Sequence, residues 1–135
     1  MTTVPTPNPQ VVAWSPQQST STIGRGELQQ QTAPAGATVN SYINCQLGSF
    51  FALTLLGAAS ATTVEFVNPQ PGQDILLEVV QSASGSDTIT WINCVWASGT
   101  APTLTTTASH KDLLRFTYDD VNAVFIGAVV AADYH

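Results

Sequence analysis

The residues able to do acid–base or nucleophilic chemistry are few, and their spacing fits no catalytic constellation. Histidine occurs only at His110 and His135. A hydrolytic triad needs a nucleophile, a base and an orienting group brought together. His135 is the last residue, a poor place for a preorganised base, and His110 lies in the polar stretch Ala108-Ser109-His110-Lys111-Asp112. That stretch reads as an exposed loop before a strand. No serine sits in a Gly-x-Ser-x-Gly elbow. Asp119 and Asp120 are adjacent in a turn, where Asp bonds its own backbone, rather than facing each other across a cleft as glycoside hydrolysis requires. Asp74, Glu65 and Glu78 fall at outward strand positions. No phosphate-cradling Gly-rich loop and no His/Cys cluster with metal spacing is present. The sequence therefore assigns no catalytic, cofactor-binding or metal-binding residue.

Cys45 and Cys94 stand 49 positions apart, which matches no metal spacing. They read as buried free thiols, with a disulfide within or between subunits as the alternative. Aromatic side chains offer a different chemistry. Trp14, Trp91, Trp96, Tyr118 and Phe125 could stack on sugars, although large aromatics in β-rich chains are more often core or interface. Trp91 shares a strand face with Ile89 and Val95 and reads as core. Trp96 is out of phase with them beside the Gly99 turn and reads as a surface or subunit contact.

The elements that must position these residues follow a period of two. Val64 and Phe66 alternate with Thr63 and Glu65, and Asn68-Pro69-Gln70-Pro71-Gly72 then turns the chain. Ile75, Leu77 and Val79 alternate with more outward positions, and Ser84–Asp87 turns again. Thr88–Trp96 is rich in β-branched and aromatic residues, with Ile89, Trp91, Asn93 and Val95 on one face. Leu113–Tyr118 and Ala123–Val130 flank a hairpin loop at Asp119–Asn122. Thr38–Gln46 and Phe50–Leu56 are further strands, and Gly24–Gln31 is a strand or one helical turn. No internal repeat is evident. Short strands at this spacing predict an all-β fold: a single antiparallel β-sandwich or jelly-roll-like domain over residues 23–135.

Residues 1–22 read as an extended N-terminal arm. Pro5, Pro7 and Pro9 favour polyproline II. Val11, Val12 and Trp14 form an apolar patch in this otherwise polar strip and are the expected partner-binding residues.

Composition narrows the function. Hydrophobic residues make up 44% of the 135, but charged residues only 9%, against about a quarter in ordinary soluble domains. A neutral polar surface packs readily on other protein, because few charges must be desolvated. Three basic residues against nine acidic ones, a net charge of −6, argue against nucleic acid. The most apolar stretch, Phe50–Ala61, has twelve residues and is too short to span a bilayer. The N-terminal segment lacks a signal-peptide pattern, so synthesis in the cytoplasm and no membrane partner are expected.

From about residue 50 onward the order of elements resembles a β-module of tailed-phage virion proteins, found in tail-fibre ends and small capsid decoration or head proteins. The resemblance is carried by Phe66–Gln73, Leu77–Gln81, Gly85–Trp91, Val95–Thr105, Asp112–Asp119 and the late Gly127. Where related modules often carry a second aromatic before that glycine, Val124-Phe125-Ile126-Gly127 keeps one. The resemblance implies a non-enzymatic virion protein assembled in the host cytoplasm. Its expected role is a capsid decoration (cement) protein binding the major capsid protein or other virion proteins, self-associating as a homo-oligomer, with a homotrimer expected. A tail-fibre, head-fibre or receptor-binding component is the alternative, and a carbohydrate-binding module the third reading.

Overall fold

Alternating apolar and polar residues make strands, and the strands here sort into two sheets. The computed structural model describes residues 21–22, 27–29, 38–57 and 61–135. In chain order the strands are β1 (Ser21–Thr22), β2 (Glu27–Gln29), β3 (Thr38–Asn44), β4 (Phe50–Thr54) and β5 (Ala61–Val67). They continue with β6 (Asp74–Val80), β7 (Thr88–Trp91), β8 (Cys94–Trp96), β9 (Lys111–Asp119) and β10 (Val124–Tyr134). Among the described residues helix is confined to two single 3-10 turns, Cys45–Leu47 and Ala97–Gly99. The protein is all-β, as the period of two requires.

The long sheet has the order β1-β2-β4-β6-β9-β10-β8, and the short sheet β3-β5-β7. From β2 to β7 the chain alternates between them, and like strands stack in parallel. The expectation of a purely antiparallel domain is corrected by this pairing. Among the described strands only β1–β2, β6–β9 and β9–β10 run antiparallel. Inward–outward alternation is the same whether a strand's neighbour is parallel or antiparallel, so the sequence pattern could not distinguish them.

The coiling also supplies a structural period that the sequence hides. Glu27 lies opposite Ala52, Phe50 opposite Leu76, Thr38 opposite Ala61, and Ala61 opposite Thr88. Each coil thus contacts its neighbour as in a short solenoid. Unequal corners keep the repeat from showing as residue identity. Asn68 Nδ2 donates to Asn44 Oδ1 at 3.3 Å, and Gln73 Nε2 donates to the Cys45 carbonyl at 2.7 Å, tying one corner to the next. Asn68, Gly72, Gly85 and Asn93 all have positive φ in these corners, where asparagine and glycine are least strained.

One corner changes the facing of several side chains. Thr88–Trp96, expected as one strand, is two: β7 in the short sheet and β8 in the long one. Between them Asn93 takes φ 54° and reverses the phase. Val95 is therefore 44% exposed, while Trp96 turns inward and packs edge-on to Trp91 and Phe116, with ring centroids 5.5 Å apart in both pairs. Ile89 and Trp91 are half-buried against the core, and Val79 and Phe116 are fully inside.

The two sheets share one core. Ile43, Val64 and Phe66 of the short sheet meet Phe51, Leu53, Ile75, Leu77, Val79, Leu114, Phe116 and Phe125 of the long one. The β9–β10 hairpin closes as expected. Asp119 Oδ1 accepts the Val121 and Asn122 amides at 3.0 and 3.2 Å, the Asx-type turn that Asp favours. Of the expected arm, Val11, Val12 and Trp14 lie outside the described residues, and its last two residues, Ser21 and Thr22, form β1.

Gly127 is required by contact rather than by backbone conformation. A Cβ there would stand 2.7 Å from Cη2 and 2.8 Å from Cε3 of Trp96, a ring wedged between Trp91 and Phe116. Gly127→Ala is expected to cost about 1–3 kcal/mol, the usual penalty for overpacking, and to shift tryptophan emission as Trp96 is displaced. Chemical denaturation of the variant followed by fluorescence measures both. An unchanged midpoint would mean that the ring yields freely.

Candidate association surface

The polar side chains that the fold brings together are spent on the backbone. Ser82 Oγ donates to Asp87 Oδ2 and accepts the Gly85 amide at 3.1 Å. The Gln81 amide group brackets the same loop, bonding the Asp87 amide and the Asp87 and Thr105 carbonyls. This is a serine beside a carboxylate with no imidazole between them, and it closes the loop joining β6 to β7. Asp112, 1% exposed, accepts the Thr105 amide at 2.7 Å and the Asp133 amide at 2.9 Å. It fastens both the 100–107 segment and the end of β10 to β9.

His110, expected in an exposed loop, is half-buried. Its Nδ1 lies 2.7 Å from Asp133 Oδ1, and its ring stacks on His135 at 4.6 Å. Thr105 Oγ1 donates to the same Asp133 oxygen at 2.9 Å, so the one hydroxyl in this group is already engaged. Among the described residues no three His, Cys, Asp or Glu side chains group as metal ligands.

Both cysteines are free. Burial pushes the thiols of Cys45 and Cys94 up to about 12, which leaves little thiolate at neutral pH. The aromatic residues weighed as sugar platforms lie largely against one another. Phe125 is buried, Tyr118 packs on it at 4.9 Å, and Trp91 and Trp96 pack together over Phe116. Trp14 lies outside the described residues.

What the fold does present is the outer face of the long sheet. In-register rows across β4, β6, β9 and β10 place Phe50, Leu76, Arg115 and Ala128 side by side, and then Ala52, Glu78, Leu113 and Ala131. Asp74, Thr117, Ile126 and Val95 form a further row across β6, β9, β10 and β8. Phe50, Ile126 and Val95 are 45%, 49% and 44% exposed, so the rows form an apolar surface interrupted by charges. Those charges are paired within the face. Arg115 Nη2 bonds Asp74 Oδ2 at 2.5 Å, Thr117 Oγ1 bonds the other oxygen at 2.5 Å, and Lys111 Nζ lies 3.6 Å from Glu78 Oε2. Tyr134 donates its hydroxyl to Glu78 at 2.8 Å; burial, then that carboxylate, pushes the phenol up to about 12.

Both basic residues of this face, Lys111 and Arg115, are matched by an acid of the neighbouring strand β6, Glu78 and Asp74. The Lys111–Glu78 and Arg115–Asp74 charges on this face thus offset one another. Sequence reasoning missed this surface. The alternation marked Leu76, Arg115 and Ile126 as outward, but only the strand order makes them neighbours.

No protein-family model matches the chain, and no curated protein or solved structure is significantly similar to it. The resemblance to phage β-modules rests on the residues quoted above.

The paired carboxylates set a pH limit. The Thr117 and Arg115 hydrogen bonds hold Asp74 below the usual carboxylate range, the Asn122 bonds do so for Asp119, and the His110 and Thr105 bonds for Asp133. A carboxylate depressed in the folded state adds stability above its unfolded pKa of about 3.9, and that stability is lost as pH falls through the lower folded value. Thermal unfolding should therefore shift to lower temperature between about pH 4 and pH 2, and Asp74→Asn should flatten part of that dependence. An identical pH profile for the variant would separate the Asp74–Arg115 contact from acid stability.

Proposed function

We propose that this chain is a non-enzymatic, self-associating structural subunit of a tailed-phage particle, acting as a capsid decoration protein on the outer shell. The observation that carries the reading is the apolar, internally neutralised outer face of the long sheet, because such a surface can be buried on protein without stripping water from unpaired charge. The phage-module resemblance over residues 50–135 gives that surface its setting. In this reading the facing sheets make a sandwich-like body. The polar residues 1–20 act as an arm that lies on neighbouring virion protein through Val11, Val12 and Trp14, and the net charge of −6 keeps the subunit off nucleic acid. The subunit is made in the host cytoplasm and resides in the virion.

Burying Val11, Val12 and Trp14 would contribute about 1.5–3 kcal/mol per side chain before ordering costs, and several arms per oligomer would multiply a weak contact. Deleting residues 2–20, which spares β1, should leave circular dichroism and melting temperature close to those of the full chain. Binding to particles stripped of the protein should fall at least about tenfold through lost avidity. Undiminished binding by the truncated chain would remove the arm from the proposal. Quantitative mass spectrometry of purified virions tests the location: hundreds of copies fit shell decoration, whereas a few to a few dozen would assign the chain to the tail or a fibre.

A further inference from the structure

The outer edge of β10 is only partly covered. Among the described residues β8 pairs with it from Phe125 to Gly127 and no further, and the chain then leaves the sheet through the turn at Ala97–Gly99. Beyond that point Ala128, Val129, Val130, Ala131 and Ala132 are all exposed. Val129 is 43% and Val130 54% exposed; Val129 pairs with inward-facing Leu114 and the exposed Ala131 with outward-facing Leu113, so the strand is open on both faces as well as along its edge. Folded proteins blunt such edges with lysine, proline, inward charges or bulges. Here only a bulge is present, where the ladder to β9 shifts between Val129 and Ala131. The run Phe125–Ala132 carries no charge and no proline.

We propose that a second copy of this chain pairs along this edge. Its own Ala128–Ala132 runs antiparallel to the first about a twofold axis at Val130, so that the two long sheets become one. This deepens the self-association part of the function proposed above and rests on it.

Three features favour a second copy as the occupant. The run is self-complementary in that register: Ala128 meets Ala132, Val129 meets Ala131 and Val130 meets Val130, with no charge opposed to its like. Its limits are built in, since Gly127 is already paired with Trp96 on one side and Asp133 leaves the extended conformation at φ 54° on the other. Charge also directs the approach. In a chain that carries a net charge of −6, the face beside β10 holds Arg115–Asp74 and Lys111–Glu78 as closed pairs, so two copies meeting there oppose few unpaired charges. The contact is isologous and closes at two, unlike the threefold closure implied by the phage resemblance.

The test uses the full chain in native mass spectrometry and sedimentation velocity. Wild type should give the dimer mass, and Val130→Lys and Val130→Asp should each weaken the dimer at least about tenfold by placing like charges face to face. A one-to-one mixture of the two variants should restore a heterodimer. Asp120→Lys, at the tip of the β9–β10 turn, should leave the dimer intact. Hydrogen exchange of the unaltered chain supplies a second measurement, with the amides on the open edge within residues 129–132 becoming protected as protein concentration rises. A monomer, a trimer, variants that dimerise normally, a mixture that stays monomeric, or exchange at 129–132 that ignores concentration would each overturn the seam. A chain that is monomeric in solution yet still decorates stripped particles would sink the seam alone and leave the virion function standing.

Discussion

Phe66 of β5 is the side chain through which two stacks of strands become one body. Its ring lies 4.7 Å from both Phe116 of β9 and Phe125 of β10, so the short sheet is fastened to the long one just where the long sheet changes from parallel coils to an antiparallel hairpin. The chain crosses repeatedly between the sheets, and every crossing needs both inner faces to meet the same core. Phe116, Trp91, Trp96 and Gly127 follow from that requirement. Phe116 fills the middle, the two tryptophans brace it from β7 and β8, and Gly127 leaves room for the second of them. Aromatic pairs at these distances add to the area they bury, and their tilted geometry fixes how the sheets sit on one another.

Coiling creates a second constraint, because each stack of parallel strands must end somewhere. At one end of the long sheet β9 and β10 add an antiparallel hairpin over β6, and β8 returns to cover the start of β10. The polar residues that a search for enzymatic groups would notice serve these closures. Asp112 ties β9 to the 100–107 segment and to the end of β10, Ser82 and Gln81 shape the loop before β7, and Asp119 caps the hairpin turn. Buried polar groups need partners, and here the backbone of the closing loops supplies them. Among the described strands the closure stops short of Ala128, which is why uncharged strand edge and apolar sheet face occur together at the same end of the described structure.

Low charge links the structure to its proposed role. With 9% charged residues, the chain depends on Thr, Ser, Asn and Gln for its solvated surface, and the outer face of the short sheet carries such residues at Asn40, Thr63, Thr88 and Thr90. The long sheet differs, carrying Phe50, Leu76, Ile126 and Val95 with charges that neutralise one another. A subunit that spends its life against other copies or against a shell tolerates such a face, because what it loses in solubility alone it recovers in burial.

The sequence by itself determined where most strands form and, within an unbroken strand, which side chains point inward. Ile75, Leu77 and Val79 alternate as expected, as do Val64 and Phe66, and the Asp119–Asn122 turn could be read directly because Asp and Asn bond the nearby backbone whatever surrounds them. These are local properties, set by steric preference and by a period of two. Tertiary structure alone decided which strands became neighbours. The parallel coils, the charge-paired face assembled from several strands and the edge of β10 that no described strand covers all depend on contacts between residues far apart in the chain, and alternation carries no information about a partner. Trp96 marks the boundary between the two kinds of knowledge. Its phase relative to Ile89 and Trp91 was legible, but the left-handed Asn93 between β7 and β8 moved it to the other sheet and turned its ring into the core.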